Sequence, residues 1–194
     1  RKRYGLLMRY TVVFDACVIY PAPLRDFLLR LSTTGLFSAK WTDQIHDEWT
    51  RNVLKNRPDL EDKLPRTREL MNRAVPDSLV TGYESLVDNL KLPDVDDRHV
   101  LAAAIRSSAQ AIITFNLKDF PDDALAQYGV EAMHPDAFIE HQLDLHQGAV
   151  IATAKQHREA LKNPPKTVDE YIETLAAQGL AISADRFRDF VELI

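Results

Sequence analysis

Two short stretches constrain this chain more than any other feature: "YTVVFDA" (residues 10–16) and "AIITFN" (residues 111–116). Each is a continuous apolar run rich in β-branched residues, and each ends on a polar side chain. A strand that is apolar on both faces is one buried on both faces, which is the condition of a central strand in a parallel sheet. The segments between them have the helical period. Pro21 and Pro23 precede "LRDFLLRLSTTG", which Gly35 can end, and Thr42 opens "TDQIHDEWTRNVLKN" with Ile45, Trp49 and Val53 on one face. A further helix is expected over residues 60–74, between Pro58 and Pro76. "LFSAK" and "SLVTGY" read as additional strands. "VEAMH" reads as a last one, after "LKDF" and a short helix near residues 121–127. Strands alternating with helices predict an α/β fold with a parallel sheet.

From Pro135 onward the pattern is helical only. Helices are expected over 136–143 and 147–162, followed by a break at Pro164 and Pro165, a helix opened by a capping box from Thr167 to Glu170, a stop at Gly179 and a last helix from Ser183. The expected organisation is therefore a main unit over residues 1–134 and an all-helical extension over 135–194. Tyr171, Ile172, Leu175, Phe187, Phe190 and Val191 are expected to pack on the main unit or on a partner. "MRYTVVFDA" reads as a natural start at Met8, so residues 1–7 are taken as an added or upstream extension.

In open parallel sheets, ligands bind beyond the carboxyl ends of the strands. Asp15 and Asn116 fall there. A second acidic locus lies in "LPDVDDRHVLAAAI", residues 92–105, ahead of an apolar helical run. Asp94 can cap that helix, with Asp96 and Asp97 in its first turn, where free N–H groups favour anions; this needs no function. At about 100° per residue, however, Asp97 projects with Val100, Leu101 and Ala104, whereas Asp96 lies at the edge of that stripe. Glu48 borders the Ile45, Trp49 and Val53 face while Asp47 points away. Asp119 follows Asn116 in "FNLKD". Singly, each of these is explained by a turn, a cap or a solvated face.

Together they form an oxygen-rich set. Such sets suit hard cations, and Mg²⁺ or Mn²⁺ is the expected metal. Two such ions roughly 3.5 to 4 Å apart can activate water and stabilise a leaving oxygen in phosphodiester cleavage. Cations would also reconcile a phosphate substrate with a formal net charge of −5, which is wrong for general electrostatic nucleic-acid binding. Arg51, Lys55, Arg57, Lys63, Arg66, Arg68 and Arg73 are a candidate basic patch, or simply the solvated face of two helices. Cys17, the one cysteine, permits no intrachain disulfide and reads as a packing residue. No apolar run approaches the ~20 residues of a membrane span, so a cytoplasmic protein is expected. His46, His99, His134, His141, His146 and His157 show no ligand pair and are expected in surface or capping roles.

The segments "VVFDACVIYP", "TDQIHDEWTRNVL", "LPDVDDRHVLAAAI" and "IITFNLKDFP" occur in the order found in PIN-domain ribonucleases, and the chain resembles that family, close to the VapC-type toxins of bacterial toxin–antitoxin modules. The resemblance implies a PIN-like parallel sheet sandwiched by helices and Mg²⁺- or Mn²⁺-dependent endoribonuclease activity. It implies as partners an RNA substrate, a cognate antitoxin and a homodimer mate. It places the catalytic set on Asp15, Glu48, Asp97, Asn116 and Asp119, and metal binding on Asp15, Glu48, Asp97 (or Asp96) and Asp119. Asn116 departs from the aspartate many members carry there, and Thr114 matches a polar position that orients a ligand or water. The helical tail resembles an extension found in a subgroup of these toxins. The alternative reading is a PIN-fold scaffold that binds RNA or protein with an incomplete site. An aspartyl-phosphate phosphatase would want a second aspartate where Cys17 stands.

Overall fold

A computed structural model describes residues 9–194; the expected start at Met8 and the extension before it lie outside the described residues. Four short strands, β1 (Thr11–Phe14), β2 (Ser38–Lys40), β3 (Ala111–Ile113) and β4 (Glu131–Met133), form a parallel sheet in the order β2-β1-β3-β4. Val12 pairs with Ala39 on one side and Ala111 on the other, and Ile112 pairs with Ala132. Val12, Val13, Ala111, Ile112 and Ile113 are fully buried, as the two-faced apolar runs require.

The crossovers are helical: α1 (Ala16–Ile19), α2 (Ala22–Ser32), α3 (Asp43–Asn56), α4 (Leu64–Ala74), α5 (Glu84–Val87), α6 (Arg98–Arg106) and α7 (Asp122–Leu125). Thr42 caps α3 as expected, its hydroxyl accepting from the Ile45 N–H at 3.0 Å. "SLVTGY" differs from expectation: it makes a single parallel bridge, Leu79 to Trp41, just past the end of β2. The Trp41 N–H donates to the Ser78 carbonyl (2.9 Å) and the Val80 N–H to the Trp41 carbonyl (2.8 Å), and then Gly82, at φ +73°, turns the chain into α5. Of this segment Ser78 and Val80 are buried beside Trp41, while Leu79 is 36% exposed.

The C-terminal helices are α8 (Pro135–Ala160), α9 (Val168–Ala177) and α10 (Ala181–Phe187). The two helices expected over 136–143 and 147–162 run together as α8, with a kink where His146 leaves helical geometry (φ −145°, ψ 49°). The capping box at Thr167 and Glu170 is present in both directions, and α10 begins two residues before Ser183. These helices share the sheet's core. Phe138 meets Phe14 and Phe37 edge-on at 6.2 and 4.9 Å, and Phe187 meets Phe27 at 6.2 Å. Tyr171, Ile172, Leu175 and Phe187 are buried, whereas Val191 is 39% exposed. Asp136 fixes the arrangement: its buried carboxylate accepts the N–H groups of Ile182 (2.9 Å) and Ser183 (2.8 Å), capping α10 from α8.

Candidate active site

Asp15 stands at the carboxyl end of β1, where the strand hands over to α1. Its N–H donates to the Ile113 carbonyl, which ties the strand end to β3, and its Oδ1 caps α1 by accepting from the Ala16 N–H at 2.7 Å. Oδ2 accepts from the Thr114 hydroxyl at 2.8 Å. The side chain is thereby held in a single orientation with only 5% of the residue exposed. Burial pushes its carboxyl above the usual range, the hydrogen bonds from Thr114, Cys17 and Ala16 oppose that, and the charge of Glu48 adds to it.

Thr114 extends the connection. Its hydroxyl donates to Asp15 and accepts from the Asn116 N–H at 3.0 Å, so one buried oxygen links the ends of β1 and β3. Cys17 lies in the same cluster, with its Sγ 3.4 Å from Asp15 Oδ2, 3.4 Å from Thr114 Oγ1, and accepting from the Phe115 N–H. The expected packing role is incomplete: this thiol is part of the wall behind Asp15. Burial, and then the charge of Asp15, pushes it to about 12, so it stays protonated and the donor set remains oxygen.

Asp97 closes a single 3-10 turn, Val95–Asp97, which Asp94 caps by accepting from the Asp96 N–H at 2.9 Å. The turn leaves Asp96 exposed and Asp97 half-buried at the head of α6. Asp97 is pushed up to about 7, first by burial and then by the charges of Asp15, Asp94, Asp119 and Glu48. The last point decides the grouping: carboxylates from four separate places in the chain bear on one another through a common, partly dehydrated space. Asp94, which the sequence presents only as a cap, contributes to that field.

Glu48 reaches this space from α3 with 28% of its side chain exposed, while Asp47 turns outward to Arg68 at 2.7 Å. Asp119 is half-buried at the end of the 3-10 turn Leu117–Asp119. Asn116 is exposed, and its side chain makes no capping bond to that turn. The charges of Asp15, Glu48 and Asp119 thus all act on Asp97, while Asp96 and Asn116 are exposed.

The histidines depart from expectation. His134 caps α8 by accepting from the Asp136 N–H, but His46, His99 and His157 are buried. His46 is bonded to Trp49 and Asn72. His99 Nε2 lies 2.6 Å from Glu48 Oε1, close enough for an ion pair yet without the alignment of a directed hydrogen bond. A single-stripe view of α6 hides His99. The available signal is the near-continuous apolar run after it: Val100 to Ala104 are all fully buried, so the helix is enclosed all round.

Among the described residues no three His, Cys, Asp or Glu side chains converge into a ready cage. An oxygen-only donor set, with Asp15 and Asp97 raised by burial and by neighbouring negative charge, fits a hard cation, because a cation offsets that repulsion.

A short parallel sheet with helices on its faces and acids gathered at its carboxyl edge defines a PIN-domain protein. The family model for the PIN domain matches residues 11–118, and the chain belongs to that family. The model described as the VapC50 C-terminal domain matches residues 135–189. The chain is 41% identical over 121 residues to the putative ribonuclease VapC50 of Mycobacterium tuberculosis (strain ATCC 25618 / H37Rv), an alignment spanning 60% of this chain and 71% of that protein. No solved structure matches.

Proposed function

We propose that the protein is a metal-dependent endoribonuclease, the toxin of a toxin–antitoxin pair, cutting RNA at the cleft of Asp15, Glu48, Asp97 and Asp119. The observation that carries this reading is the buried carboxylate of Asp15 at the carboxyl end of β1, both of whose oxygens are oriented by Thr114 and the Ala16 N–H, with negative charge from Glu48 bearing on it. Family membership and the putative ribonuclease relative support the choice of RNA as substrate.

Asp15, Glu48, Asp97 and Asp119 would hold Mg²⁺ or Mn²⁺, directly or through water, while Asp96 and Asn116 stand at the rim. When bound, the ion supplies charge neutralisation for the phosphate and lowers the pKa of water at neutral pH. The chain's own part is to fix the donors. Thr114 and the Ala16 N–H hold both oxygens of Asp15, so that carboxylate is oriented before any ion arrives. Asn116, uncharged and exposed, is placed to hydrogen-bond RNA.

The unit of residues 1–134 would carry the chemistry and residues 135–194 the extension. No helix among the described residues is long and apolar enough to cross a membrane, in keeping with work in the cytoplasm. The antitoxin would cover the acidic cleft, and the groove between α2, α4 and the end of α8, lined by Asp26, Leu29, Leu70, Met71, His157 and Leu161, would receive a second copy of the chain.

The test is cleavage of total cellular RNA by the purified chain with Mg²⁺ or Mn²⁺, mapping fragment ends by sequencing. Cuts at one or a few sites, stopped by EDTA and by Asp15→Asn, are expected. Folded protein that binds RNA without cutting it in any metal would instead identify a scaffold.

A further inference from the structure

The reading above leaves His99 unused. Its side chain is 3% exposed, neither ring nitrogen has an aligned hydrogen-bond partner among the described residues, and Nε2 lies 2.6 Å from Glu48 Oε1, within ion-pair distance. A buried ring with an unpartnered nitrogen costs stability that an apolar side chain at the same place would not. The surrounding helix, "HVLAAAI", is otherwise apolar and enclosed. Nothing in the packing of α6 asks for a histidine.

Its position does. His99 follows Asp97 by two residues, so the element that brings Asp97 into the cleft also brings the imidazole, and the imidazole crosses to α3 to meet Glu48. Glu48 makes no other ion pair among the described residues. A glutamate has three side-chain torsions and, 28% exposed, would otherwise sample several rotamers.

We propose that His99 is the positioning residue for Glu48: it engages Oε1, fixes the side chain facing Asp15 and Asp97, and leaves Oε2 to the cation. The inference rests on the metal-site reading. Side chains that hold a ligating group from behind are worth about 10- to 100-fold in metal affinity, and that is the size expected here for a charged contact at 2.6 Å.

The experiment is calorimetric titration of Mn²⁺ into the full chain, with RNA absent, for wild type, His99→Leu, His99→Asn, His99→Gln, Glu48→Ala and the double variant of His99→Leu with Glu48→Ala. The Gln amide reaches about where Nε2 lies and the Asn amide falls short. His99→Gln is therefore expected to stay within about threefold of wild type, while His99→Leu and His99→Asn lose about 10- to 100-fold. In the Glu48→Ala background, His99→Leu is expected to add nothing, because the effect travels through Glu48. Thermal melts of the metal-free proteins separate folding from binding, and the Gln–Asn pair keeps the test alive if His99→Leu folds poorly. Equal Mn²⁺ affinity across the folded His99 variants, or an equal loss with and without Glu48, would overturn the assignment. Wild type that takes up no Mn²⁺ would overturn it together with the metal site itself.

Discussion

At the scale of residues, the cleft is defined by carboxyls that are held against their own preference. Asp97 titrates near 7 in the folded chain, whereas in the unfolded chain it titrates near 3.8. Between those values the native state keeps a proton that the unfolded state has lost, so the contribution of Asp97 to the stability of metal-free protein falls as pH rises from about 4 to about 7 and is level above that, against the opposite slopes of Asp26 and His46, both lowered. Asp15, raised by burial, acts in the same direction as Asp97. Thermal melts across this window should show wild type declining relative to Asp97→Asn, and recovery at pH 8 when Mn²⁺ is added. A stability equal in the two proteins at every pH would contradict the account. Asp97→Asn is accordingly expected to melt higher than wild type at pH 8 without metal, yet to cut RNA less. Asp15→Asn should reduce cleavage on the order of 100-fold or more, since several kcal/mol of charge stabilisation depend on the ion and each 1.4 kcal/mol is about tenfold.

At the scale of elements, α10 is held by a residue that is distant in sequence. Asp136 accepts two N–H groups at the head of α10, and no side chain nearer by offers a cap there. Asp136→Ala would leave the buried Ser183 N–H and the part-buried Ile182 N–H unpartnered, at a cost of about 1 to 3 kcal/mol. Urea unfolding should show that loss, while Thr167→Ala, which removes only half of a local capping box, should cost about 1 kcal/mol. The contrast marks what a sequence displays. Thr42, the Thr167–Glu170 box and the break near His146 are local chemistry, readable from a few adjacent residues. "SLVTGY" has strand composition, but whether it pairs depends on the edge beside Trp41 and the turn at Gly82. The cross-chain cap of Asp136 leaves no local trace.

The site divides along the same line. Asp15 and Asp97 are legible because strand ends and helix faces follow from short-range periodicity, and Glu48 is legible from the wheel of α3. Asp96 and Asp97 are adjacent on the page; only the 3-10 turn before α6 separates an exposed carboxylate from a half-buried one. The proximity of Asp119, the thiol behind Asp15 and the imidazole against Glu48 are facts of assembly, set by how β1, β3, α3 and α6 meet.

At the scale of the whole molecule, the C-terminal helices and the sheet are one hydrophobic body. Phe138, Ile139, Val150, Tyr171, Ile172, Leu175 and Phe187 are fully buried against residues that include Phe14, Phe27 and Phe37. Each such side chain contributes about 1.5 to 3 kcal/mol by burial, so their joint loss is comparable with the roughly 5 to 15 kcal/mol that stabilises a domain. A chain ending at His134 is expected to aggregate or to lack a cooperative melt; a soluble, cooperatively melting fragment would show the extension to be dispensable. Charge acts at this scale too. Arg57, Arg66, Arg68 and Arg73 are engaged by Asp59, Glu69, Asp47 and Asp43, which leaves the basic patch mostly self-neutralised on a chain of formal charge −5. On the proposed reading, attraction of RNA phosphate would fall to a cation in the acidic cleft. The most direct measurement of that claim is anomalous scattering from Mn²⁺-soaked crystals of the full chain. A peak bonded to the carboxylates of Asp15 or Asp97, absent in Asp15→Asn, is the predicted result. Ordered carboxylates with no peak among them, in crystals that carry Mn²⁺ elsewhere on the surface, would contradict it.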